Sequence, residues 1–173
     1  MAINTSHRIL VSQKHKQGFA LLIALIFMSV MLSIGLTLAS LGYKQQVLAS
    51  SGIESQYAFY AADGALECAL YADQQEDLFA YPSGSGTPSA PAMNCDGAAP
   101  VSATVVSKTL SQWVVATRLS LDGGTHCADV TVYKPSSDIG TTYLFSQGYD
   151  VSCATVATPG GAQFVSRGLS THY

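Results

Sequence analysis

The chain of 173 residues carries 8 Lys and Arg against 11 Asp and Glu, a net charge of −3, and 48% of it is hydrophobic. That length allows one modest core plus a membrane anchor, not two full domains. Beyond residue 18 the basic residues are Lys44, Lys108, Arg118, Lys134 and Arg167, too scattered to make a stripe for nucleic acid. The sequence has no Gly-rich phosphate loop ending in Lys-Ser/Thr and no Gly-x-Ser-x-Gly elbow.

In chain order, a short basic leader with Arg8, Lys14 and Lys16 stops at Gly18. An apolar run starts at Phe19 and stays uncharged until Lys44. A secretory signal has its cleavage site after the apolar stretch, among small residues. Here the cleavage-like landmark, Gly18-Phe19, comes before it, so a cut would leave the apolar segment as the new N-terminus. Residues 19–41 form the predicted membrane-spanning helix, covering roughly 35 Å at helical rise against a hydrocarbon core of about 30 Å. Positive charge stays cytoplasmic, which predicts the C-terminal part outside. Loss of residues 1–18 would remove three basic groups and leave 5 against 11, a net charge of −6.

The junction Lys14-His-Lys-Gln-Gly-Phe, followed by the apolar run, resembles the class III signal of type IV pilins and of the pseudopilins of type II secretion. The resemblance implies cleavage after Gly18 by a prepilin peptidase and N-methylation of Phe19. It also implies three further partners: other pilin or pseudopilin subunits, an inner-membrane assembly platform and membrane lipid. Most type IV pilins have a Glu at the fifth mature position, which pairs with the N-terminal amine of a neighbouring subunit. The residue here is Ile23, which has no charge to offer. That departure points to a minor, low-copy subunit that primes or caps a pilus or pseudopilus, not to the bulk repeating unit. The alternative is an uncleaved single-pass anchor carrying an extracytoplasmic binding domain.

Within the span, Ser29, Ser33 and Thr37 recur every four residues on one face, as do Ala20 and Ala24. Small residues at this spacing let helices approach closely in lipid. Equally, the hydroxyls can bond back to their own helix. Gly35 and Gly42 weaken the helix by about 1 kcal/mol each relative to Ala.

Residues 42–72 form the predicted extracytoplasmic half of the helix. Val47, Tyr57, Ala61, Ala65, Cys68 and Ala69 approximate its apolar stripe, interrupted by Gly52 and Gly64. The stretch from Tyr57 to Ala69 is similar to the second half of the long helix in minor pilins. Residues 73–100 hold Pro82, Pro88, Pro91 and Pro100 with several Gly and Ser, and predict a loop; its section 81–91 reads as an exposed, passive linker.

Residues 101–173 read as strands. Trp113, Val115, Thr117, Leu119 and Leu121 alternate with Val114, Ala116, Arg118 and Ser120, a half-buried pattern. Asp122-Gly123-Gly124 supplies a hairpin turn, and Ala128, Val130 and Val132 alternate on the return strand. A run over 141–149 and a weaker strand over 163–173 complete an antiparallel meander of four or five strands. The predicted fold class is α+β, a long N-terminal membrane-spanning helix packed on a small antiparallel sheet, which is also the pilin architecture.

Four cysteines at 68, 95, 127 and 153 all follow the span, and an even number in an oxidising compartment predicts two disulfides. Three connectivities are open. The favoured one joins Cys68 to Cys95, pinning the helix end to the loop, and Cys127 to Cys153, joining two sheet segments. No pair has Cys-x-x-Cys spacing, so no metal site is expected. His7 and His15 would leave with the leader, while His126 and His172 read as surface residues. Asp122, Asp129, Asp138 and Asp150 lack the calcium-loop pattern. No cofactor and no enzymatic activity are predicted.

Overall fold

The structure, a computed structural model, describes residues 16–84, 88–97, 99–137 and 139–173. The leader positions Arg8 and Lys14, together with His7, His15 and Asp138, lie outside the described residues. The chain divides after Leu48 into two units. The first helix, α1, runs Lys16–Gln74 and has 59 residues. Gly35, Gly42, Gly52 and Gly64 all lie inside it without breaking it.

In the first unit, every residue from Gly18 to Leu48 is exposed. Bulky apolar side chains are among them, including Leu21, Phe27 and Met31.

The second unit holds the rest of α1 and the sheets. Ala58, Ala62, Ala65, Ala69 and Ala72 are buried at alternating spacings of four and three, which keeps them on one face of the helix. Ala61 and Leu66 flank them, also buried. Of the expected stripe, Ala61, Ala65 and Ala69 are on this face. Val47 and Tyr57 are not, being 51% and 50% exposed. A stripe built from alanine has no long side chains to hold the helix away, so its backbone can approach the sheet closely.

Five antiparallel strands form the main sheet in the order β3 (Thr104–Lys108), β4 (Gln112–Leu121), β5 (His126–Pro135), β6 (Tyr143–Tyr149) and β7 (Ser166–His172). It is a meander, each strand pairing with its sequence neighbour. Strands β4 and β5 pair without a slip from Gln112↔Pro135 to Leu121↔His126. Their inward rows, Trp113, Val115, Thr117 and Leu119 on β4 and Ala128, Val130 and Val132 on β5, are buried; Leu121 on the same row is half-buried, and Val114, expected on the opposite row, is buried as well. The connecting turn places Asp122, Gly123 and Gly124 at positive φ, a conformation glycine adopts at little cost.

On β6, Gly148 faces the helix, and a Cβ there would collide with the backbone of Ala58, Ala61 and Ala62. Alanine on one side and glycine on the other set the closeness of this contact. The core is completed by Phe79, Met93 and Leu144.

The proline-rich segment 73–100 is tied to the rest of its unit. Two short strands, β1 (Ala92–Met93) and β2 (Val101–Ser102), pair antiparallel within and just after it. The Tyr81 hydroxyl donates to the Thr109 carbonyl at 2.5 Å, and Lys108 Nζ donates to the Gly84 carbonyl at 2.7 Å. Cys153 begins a short helix, α2 (Cys153–Ala157), capped by the Ser152 hydroxyl, so its bridge joins strand to helix and not two sheet segments.

Candidate functional site

The apolar part of α1 is the first candidate. From Gly18 to Tyr43 it has no charged residue. Its best window has a mean hydropathy of 2.6 and is wholly exposed. Among the described residues it belongs to the one helix long and apolar enough to cross a bilayer. A helix suits that environment because every interior backbone polar group is satisfied within the segment. An exposed row of Leu, Ile, Phe and Met costs free energy in water and gains it in lipid. The segment therefore fits a single-pass membrane anchor.

Gly18 and Phe19 both sit within α1, near its start, and Phe19 is 70% exposed. Ile23 lies on the same helix, exposed, among neighbours that are all apolar. The Ser29 hydroxyl donates to the Ile26 carbonyl at 2.8 Å, and the Thr37 hydroxyl to the Ser33 and Ile34 carbonyls at 3.1 and 2.8 Å. These two hydroxyls are thus satisfied within their own helix.

The second unit contains a polar knot at the end of α1. Asp73 has a fully buried side chain, and Lys134 Nζ on β5 donates to both of its carboxylate oxygens at 2.8 Å. Tyr173 donates its hydroxyl to the same carboxylate. Burial, reinforced by the hydrogen bond to Asp73 and that group's negative charge, pushes the Tyr173 phenol above its ordinary range. Just beyond, Asp77 takes a positive φ and the Leu78 amide returns to the Ala72 carbonyl, which ends the helix. Sequence reading missed the knot because its members are 61 and 100 residues apart from Asp73.

On the outer side of the sheet, Arg118 makes a bidentate pair with Asp129 at 2.7 and 2.8 Å, and the Tyr149 hydroxyl donates to Asp129 at 3.2 Å. The hydrogen bond to Asp129 raises the Arg118 pKa; burial, then the Asp129 charge, raises that of Tyr149. Such a half-exposed pair contributes little to stability.

Cys68 is bridged to Cys95 and Cys127 to Cys153, the favoured pairing of the three open to four cysteines. The first ties α1 to the proline-rich segment, and the second ties β5 to α2. His126 is not a free surface residue, since its side chain is only 17% exposed and its ring stacks on Tyr57. His172 packs beside Tyr143. Asp122, Asp129 and Asp150 are each engaged separately, in the β4–β5 turn, the Arg118 pair and a bond from the Val165 amide.

The fold places a bilayer-length apolar helix ahead of a disulfide-linked α+β unit, with the last turns of that helix packed on a five-stranded antiparallel sheet. No protein-family model, no characterised protein and no solved structure matches this chain significantly.

Proposed function

We propose that this chain is a minor type IV pilin or pseudopilin, a structural subunit that helps to prime or cap a pilus or pseudopilus. The observation that carries the reading is one junction: basic residues ending at Gly18-Phe19, followed at once by an uncharged helix that leads into an α+β unit. In this reading a prepilin peptidase cuts after Gly18 and methylates Phe19. The apolar half of α1 is held in the cytoplasmic membrane, with the sheet unit outside. Assembly exchanges lipid for the helices of other subunits, a transfer the exposed apolar surface permits. Ile23 favours a low-copy position, because it offers no charge to pair with the N-terminal amine of a neighbouring subunit. The acidic balance after residue 18 weighs against direct capture of nucleic acid. Nothing in the reading requires this chain itself to bind a cofactor or to catalyse a reaction.

The test is the mass of the N-terminal peptide, taken from membranes and from sheared surface filaments. A methylated Phe19 terminus in both fractions is the expected result. An intact Met1 leader in membranes, with no chain in filaments, would overturn it in favour of an uncleaved, membrane-anchored binding domain.

A further inference from the structure

A cleft of about 400 Å³ opens in the second unit beside the β4–β5 turn. Its walls bring three aromatic rings and two carboxylates together: Tyr57 and Tyr60 from α1, His126 from β5, Asp96 from the segment after the Cys95 bridge, and Asp122 from the turn. Tyr57 and His126 stack with ring centroids 5.2 Å apart. Tyr60, one turn along, is 66% exposed. The Asp122 amide donates to Asp96 Oδ2 at 2.9 Å, which holds the two acidic residues side by side. Asp122 Oδ2 accepts from the Thr125 hydroxyl at 3.1 Å and lies 3.3 Å from His126 Nδ1. Ala61 and Leu121 make the remaining lining partly apolar.

We propose that this cleft receives a lysine side chain presented by a partner protein. Aromatic faces attract a cation through their quadrupole, and the carboxylates add direct charge attraction. The apolar lining suits the four-carbon stem of lysine, which gains by covering such surface while its head stays polar. A bare metal ion fits worse, because no group of three His, Cys, Asp or Glu among the described residues could hold one. Arginine also fits worse. Its fork calls for two free oxygens on one carboxylate, whereas Asp96 and Asp122 each have one oxygen already engaged.

The charge of the whole unit points the same way. Residues 49–173 hold all 11 acidic residues and only Lys108, Arg118, Lys134 and Arg167 as bases, so 4 − 11 gives −7. Two of those four bases are committed to Asp129 and Asp73. A basic partner is drawn to this unit and an anionic one repelled.

The test titrates the full chain, disulfides intact and in maltoside micelles, with acetyl-Gly-Lys-Gly-amide. Isosteric norleucine and arginine peptides serve as comparisons, and amide NMR shifts are the readout. Saturable shifts at Tyr57, Tyr60 and Asp122 are expected from the lysine peptide, reduced by salt, with none from the norleucine peptide. The variant Asp96→Asn with Asp122→Asn keeps the fold, since asparagine tolerates the positive φ values of 57° and 52° and still accepts a hydrogen bond. It should weaken binding about tenfold, and Tyr60→Leu about two- to fivefold. The proposal is overturned by absence of saturable shifts, by equal binding of the norleucine peptide, by tighter binding of the arginine peptide, or by unchanged affinity in the double Asn variant.

Discussion

The two halves of α1 invert the usual relation between size, apolarity and burial. In the first half large apolar side chains are exposed all round the helix, Leu21, Phe27 and Met31 among them. In the second half the buried face is built mainly from the smallest one, alanine. A helix that faces lipid gains from bulk at every position around its circumference. A helix that faces a sheet gains from close approach on one stripe, and bulk there would hold the backbones apart. Each half is thus matched to a different surrounding, lipid for the first and a tightly packed sheet for the second.

If the second half is held by a buried polar knot as well as by close packing, breaking the knot should have the largest effect. Lys134→Met leaves the Asp73 carboxylate, whose side chain is fully buried, without its cation. The expected loss is about 3–5 kcal/mol of unfolding free energy, the range seen when one partner of a buried pair is removed. Denaturant unfolding of the full chain in micelles, followed by near-ultraviolet circular dichroism, measures it. A loss below 1 kcal/mol would mean that water reaches Asp73 and that the knot is not a structural tie.

The packing half of the comparison is sharpened by a pair of substitutions. Gly148→Ala adds one methyl group where a Cβ would meet the backbone of Ala58, Ala61 and Ala62. Overpacking of this kind costs about 1–3 kcal/mol. Leu25→Ala removes a far larger side chain, but from the exposed half, where Leu25 is 63% accessible. Its effect on unfolding of the second unit should stay within about 0.5 kcal/mol. Equal effects from the two substitutions would erase the distinction between the halves.

Much of this division could be read from the sequence, and the parts that could not share a physical cause. The apolar run, the helix beyond it and the strand alternation on β4 and β5 are periodic signals, carried by neighbouring residues. Helical spacing puts Val47 and Tyr57 on the stripe with Ala61, Ala65 and Ala69, yet the buried stripe runs through Ala58, Ala62 and Ala72. An alanine-rich helix shows little contrast between its faces, so periodicity does not fix its rotation. The need for glycine at Gly148 depends on a helix more than 80 residues earlier in the chain. The Asp73, Lys134 and Tyr173 knot depends on three distant positions, and the Tyr57–His126 stack on two. The candidate anchor is local and legible; the cleft and the knot exist only after folding.

A smaller effect separates the knot from simple burial. Tyr173 is 45% exposed as a residue, but its hydroxyl meets the buried Asp73 carboxylate, and its phenol is shifted upward from the ordinary value of 10.0. The folded state therefore holds this proton more tightly than the unfolded chain does. Between the unfolded and folded values the unfolded state has already lost its proton, so stability falls as pH rises above about 10 and is unaffected well below it. Tyr149, raised by burial and by Asp129, adds a slope of the same sign. Tyr173→Phe should cost about 1 kcal/mol at pH 7, the net value of a lost hydrogen bond, and should flatten the decline at alkaline pH. Unfolding midpoints measured at pH 7, 9 and 10.5 decide the matter. A parallel decline in the wild type and in Tyr173→Phe would show that the alkaline loss of stability does not come from the Tyr173 proton.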